Sequence, residues 1–102
     1  MRPVFLWQRT AEEHRYSNGQ RYTYDCPPGG TFLPVWGTRV YTDDSSVCTA
    51  AVHRGVITRE DGGTVTIEIH PGRDSYPGTS RNGITSQDWM NPWVGSFVFV
   101  AR

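Results

Sequence analysis

The stretch YTDDSSVCTAAVHRGVI, Tyr41 to Ile57, decides how this chain is read. It opens on hydroxyls and two acids, passes into small apolar residues around one cysteine, and closes on His-Arg-Gly. Asp43, Asp44 and Ser45 are all good helix N-caps, and acids at a helix start interact well with its dipole. Val47, Ala50 and Ala51 fall on one side of the helix that follows, with Cys48, Ala51, Val52 and Gly55 on a neighbouring band. Gly55 stands where a left-handed residue ends a helix, and His53 and Arg54 put positive charge in the last turn. The segment therefore predicts a short buried helix.

The same stretch holds Asp, Ser, Cys and His, the residue types of a nucleophilic site. A nucleophile and its base must meet within about 3 Å. On a helix, Ser46 and His53 are separated by about 10 Å along the axis, and Cys48 and His53 by about 7.5 Å. Neither pair can meet, no G-x-S-x-G is present, and no second segment offers partners. The expectation is a protein that is not an enzyme.

Composition points the same way. The chain has 102 residues, enough for one domain with a modest core. Leucine is confined to Leu6 and Leu33, while Val and Thr are plentiful, which favours strands. Much of the burial must come from aromatic rings. Ten basic residues, all Arg, balance ten acids, so a dedicated nucleic-acid binder is not expected. No apolar run reaches membrane-spanning length. The segment PVFLW is too short for a signal-peptide core, so no signal peptide is expected in this numbering. His14, His53 and His70 are scattered, no zinc-ligand spacing occurs, and no phosphate-cradling loop follows CPPGG; no metal or cofactor is expected.

Around the helix, Val4 to Arg9 reads as a strand. TAEE at Thr10–Glu13 matches a capping box but leads into no apolar run. Ser17–Gly19 reads as a hairpin turn before a strand QRYTY, and Val35–Thr42 reads as extended. After a turn at Glu60–Gly63, TVTIEIH alternates, with Val65, Ile67 and Ile69 on one face. Residues 71–92 read as a long polar loop, either functional or pinned by its own side chains. WVGSFVFVA closes the chain as a strand, expected to be buried on both faces at Phe97–Val100. The fold class is α+β.

Three segments, VWGTRVYTDDSSVCTAAVHRGVI, GGTVTIEIHPGRDSY and NGITSQ, resemble the LCCL domain family. The matching positions are Val35, Gly37, Tyr41, Ser45, Ser46, Cys48, Ala50, Ala51, His53, Gly55, Ile57, Gly62, Gly63, Pro71, Gly72, Tyr76, Asn82, Gly83, Ile84 and Ser86. The resemblance runs from about Cys26 to Val100. It implies a short central helix packed against and wrapped by two small antiparallel sheets, in a non-enzymatic extracellular module associated with host defence and matrix. Residues 25–102 would form that domain, with 1–24 as an N-terminal extension or extra strands. The family commonly carries four cysteines. Here Thr31 occupies one expected place and Cys26 precedes the Gly-Gly turn, so the resemblance implies a Cys26–Cys48 disulfide, with two free thiols as the alternative.

Two functions follow as expectations. The first is a binding or adhesion module for polysaccharide or lipopolysaccharide. Its ligand face would use Arg73, Tyr76, Arg81, Trp89 and Trp93, since guanidinium groups pair with anions and rings stack on sugars. The plainer reading of Trp89 and Trp93 is core or lid. The second is a structural assembly subunit, such as a virion or tail decoration protein, docking on neighbouring subunits through residues 1–24. The location would be extracellular or particle-associated.

Overall fold

The computed structural model describes residues 3–100. Helix α1 spans Val47–Arg54 and sits at the centre. Its start is set by Ser46, whose Oγ accepts the Thr49 N–H at 3.2 Å and donates to the Trp7 carbonyl at 2.7 Å. Its end is a Schellman motif: Gly55 takes φ +87°, its N–H reaches the Val52 carbonyl, and the Val56 N–H reaches Ala51. Every residue from Val47 to His53 is buried, so the helix is enclosed on all sides.

Among the described residues seven strands surround it: β1 Arg21–Cys26, β2 Gly37–Thr38, β3 Val40–Thr42, β4 Gly63–Arg73, β5 Ser80–Arg81, β6 Ile84–Thr85 and β7 Trp93–Phe99. Five form an antiparallel sheet in the order β1-β4-β7-β3-β2, and β5 pairs with β6 in a second. The α+β architecture of one helix and two antiparallel sheets is as the sequence indicates. The alternation in β4 turns Val65, Ile67 and Ile69 inward, where Ile69 lies opposite Phe97. Tyr41, Phe97 and Phe99 form a ring cluster with centroids 5.7–5.9 Å apart.

Cys26, at the end of β1, is bonded to Cys48 in the first turn of α1, with Cα atoms 5.6 Å apart. The bond ties the large sheet to the helix from the edge strand.

Several local expectations are corrected. Pro3–Gln8 is a 3-10 helix rather than a strand. It places Trp7 in the core, with its Nε1 donating to the Pro27 carbonyl at 2.8 Å. Among the described residues no strand precedes the turn at Ser17–Gly19, so it is not a hairpin; Gly19 instead donates to the Ile69 carbonyl at 2.7 Å and feeds β1 onto β4. Residues 71–92 are not one loop, because β4 runs on to Arg73 and the Asn82-Gly83 turn folds β5 onto β6. Of the Phe97–Val100 run only Phe97 is fully buried; Val98, Phe99 and Val100 are half-buried. Ala101, expected in that strand, lies outside the described residues, as do Met1, Arg2 and Arg102.

β1 crosses the expected division at residue 24, and Trp7 and Ala11 from the expected extension are fully buried. No helix among the described residues is long and apolar enough to cross a membrane.

Candidate functional site

The catalytic-looking residues of the helix are all engaged elsewhere. Cys48 is in the disulfide and Ser46 caps the helix. His53 is fully buried, with Nδ1 3.0 Å from the Tyr41 hydroxyl and Nε2 2.9 Å from the Thr79 carbonyl. A carbonyl can only accept, so Nε2 carries the proton and the Tyr41 hydroxyl donates to Nδ1. This bridge ties α1 to β3 and to the segment before β5. Burial raises the Tyr41 phenol above its ordinary value.

An exposed indole, Trp89, and a half-buried one, Trp93, lie together beside the large sheet. Their foundation is Asp43, which follows β3 and has no exposed surface. Arg15 grips it with two bonds, Nε to Oδ2 and Nη2 to Oδ1, both 2.7 Å. The indole Nε1 of Trp93 donates to Oδ1 at 2.9 Å. The Asp43 bonds hold the Arg15 guanidinium in its charged form more firmly than usual. A Cβ on Gly95 would collide with the Asp43 carboxylate, so glycine is required there.

The Arg15 guanidinium also lies over the Trp93 ring, 5.6 Å from its centroid. Trp89 meets Trp93 edge to face, with centroids 6.0 Å apart and planes at 87°. Trp89 is positioned by backbone: its N–H and carbonyl exchange bonds with Tyr76 at 2.9 and 2.7 Å. Arg73 lies directly across from Trp93 in the β4–β7 ladder, so the two side chains leave the same face. Among the described residues Arg73 forms no salt bridge.

Four of the five expected ligand-face residues, Arg73, Tyr76, Trp89 and Trp93, are therefore brought together. Their roles differ. Trp89 keeps 37% of its surface exposed, and Arg73 is exposed. Tyr76 is only 1% exposed and works from beneath. Its hydroxyl accepts the Arg73 N–H at 2.8 Å and donates to the Trp93 carbonyl at 3.2 Å, and burial raises its phenol pKa. Arg81 stands apart on β5 in the second sheet.

Sequence reasoning missed two features. Trp36 joins Trp89 and Trp93 in walling a small cavity, completed by Thr42 and Asp44. Its isolated position in VWGT gave no periodic signal. The second is an open cleft of about 940 Å³ beyond the helix C-terminus, lined among others by Phe32, Arg59, Glu60, Asp61 and Asn82. Arg59 lies over the Phe32 ring at 5.6 Å and donates to the Gly30 carbonyl at 2.7 Å. Only folding brings the turn after CPPGG to that after the helix. Among the described residues no cluster of His, Cys, Asp and Glu could hold a metal ion.

Comparison with known proteins adds a family. The family model described as LCCL domain matches residues 6–97. Cochlin of Homo sapiens is 47% identical over 73 residues, covering 69% of this chain and 13% of cochlin. Cysteine-rich secretory protein LCCL domain-containing 2 of Homo sapiens is 44% identical over 64 residues, 63% of this chain and 13% of that protein. Cysteine-rich secretory protein LCCL domain-containing 1 of Gallus gallus is 47% identical over 61 residues, 60% of this chain and 12% of that protein. The matched segment is thus 12–13% of these relatives' length.

Proposed function

This chain belongs to the LCCL domain family, and from that membership we propose that it is a non-catalytic binding module whose ligand is an anionic polysaccharide or lipopolysaccharide. One observation carries the ligand class: Trp89 and Trp93 stand at right angles beside Arg73, a guanidinium without a carboxylate partner among the described residues. The exposed Trp89 indole, with half-buried Trp93 beside it, offers stacking surface to the apolar faces of sugars, and a guanidinium takes a phosphate or carboxylate in two bonds. Rigid positioning from below by Asp43 and Tyr76 lowers the ordering cost of binding.

The non-catalytic reading is supported by the engagement of Ser46, Cys48 and His53 in structural bonds. The disulfide suits an oxidising, extracellular setting. The alternative of an assembly subunit docking through residues 1–24 gains no support from Trp7 and Ala11, which are buried against this chain's own core.

A glycan array with the whole chain tests the reading. Saturable binding to anionic glycans is expected, falling about tenfold or more in Trp89→Ala and in Arg73→Ala, each with an unchanged melting transition. A blank array, or binding indifferent to both substitutions, would sink it.

A further inference from the structure

We propose that the cavity walled by Trp36, Trp89 and Trp93 binds a trimethylammonium group of the choline type. Trp36, Trp89 and Trp93, together with Asp44 and Thr42, line about 80 Å³. Cations are held over indole faces by the ring quadrupole, and quaternary ammonium groups are recognised by such aromatic walls.

Each wall is fixed before any ligand arrives. Trp93 is held by its bond to Asp43. Trp89 is held by its backbone pairing with Tyr76 and by the edge-to-face contact with Trp93. The Trp36 backbone is held by a parallel bridge to Gln87, and its backbone N–H donates to Ser45 Oγ at 2.9 Å. Rings that do not have to be ordered on binding return more of their interaction as affinity.

The charge is also right. Asp43 is spent on Arg15, whereas the half-buried Asp44 forms no salt bridge among the described residues. An acidic residue without an ion-pair partner among the described residues thus lines the cavity beside three indoles. Arg15 does not line it, and its own place over Trp93 demonstrates that this ring accepts a cation. Size narrows the class. A cavity of about 80 Å³ suits a compact head of three methyls rather than a whole sugar ring. Hydrated ammonium heads such as that of lysine prefer water, while a methylated one has no N–H to lose.

The site shares Trp89 and Trp93 with the glycan face but does not depend on it. Trp36 and Asp44 belong to the cavity alone. The test is a titration of the whole chain with choline chloride, read by tryptophan fluorescence. The control is the neutral carbon isostere, in which a tert-butyl group replaces trimethylammonium. Saturable binding of choline, at least about tenfold tighter than the isostere, is expected. Asp44→Asn should weaken it about threefold or more, and Trp36→Leu about tenfold, with the melting transition as the fold check. Co-sedimentation with phosphatidylcholine vesicles, against phosphatidylglycerol vesicles, separates a lipid headgroup from free choline as the source. No binding of either choline or phosphatidylcholine vesicles, or equal binding of the isostere, overturns the proposal. A blank glycan array with intact choline binding would overturn only the glycan reading, and the reverse result only this one.

Discussion

Arg15 reaches across 28 residues of chain to hold Asp43, with Nε and Nη2 each 2.7 Å from a carboxylate oxygen. Arg15 keeps 26% of its side chain exposed, while Asp43 has none. The two halves of the pair are therefore unequal. Arg15→Ala strands a buried carboxylate and should cost about 3–5 kcal/mol. Asp43→Asn leaves a guanidinium that can still reach water and should cost less. Urea unfolding of the two variants measures the difference, and a smaller loss for Arg15→Ala would contradict the buried-charge account.

The Cys26–Cys48 bond closes a segment of 22 residues. In the chain-entropy model its loss removes about 3 kcal/mol. Cys26→Ser with Cys48→Ser, or the reduced wild type, should unfold at a lower urea midpoint. Intact mass under alkylating, non-reducing conditions should find no modified thiol in the native protein.

His53 is a structural bridge, and its replacement reads as packing plus two lost bonds. His53→Ala leaves the Tyr41 hydroxyl without its imidazole partner, removes the His53 bond to the Thr79 carbonyl, which keeps those from Ser86, and opens a cavity. The expected cost is about 3 kcal/mol or more. Trp89 and Trp93 are held independently of His53, so any ligand binding measured below the melting transition should persist.

At high pH the tyrosines become liabilities. Burial pushes the Tyr24 phenol up to about 12, and raises Tyr41 and Tyr76 as well. The fold favours the neutral, protonated phenols, so the folded values exceed the unfolded one. The stability they contribute is complete below the ordinary phenol value of 10.0 and is lost as pH rises through the folded values. Urea midpoints should hold steady up to pH 10 and fall toward pH 12. Phenolate absorbance should then rise late, together with unfolding; three early-titrating buried phenols would refute this.

The helix and β4 were legible because each rests on local signals. Gly55 marks the helix end and the run of acids and hydroxyls before Val47 its start, although the cap is Ser46 rather than Asp43, Asp44 or Ser45, because Asp43 is turned to Arg15; Val65, Ile67 and Ile69 alternate. Pro3–Gln8 misled because an apolar run without periodicity fits a strand, while Trp7 decides the matter through a bond to Pro27, 20 residues away. The candidate face was half legible. Arg and Trp in a polar segment pointed to Arg73, Trp89 and Trp93, but burial of Tyr76 is set by tertiary contacts with the Arg73 and Trp93 backbones. Trp36 escaped notice because its partners arrive from residues 87–93 only after folding.

Asn82 donates its amide to the Val52 and His53 carbonyls, at 3.0 and 3.1 Å, and is followed by Gly83. An asparagine before glycine is the sequence most prone to spontaneous loss of ammonia. Deamidation there would convert two donated bonds into a carboxylate facing the negative end of the helix dipole. The hook that fastens the β5–β6 hairpin to the helix is thus also a chemical clock, and aged protein should loosen first at this hairpin, visible as faster amide exchange at Arg81 and Ile84.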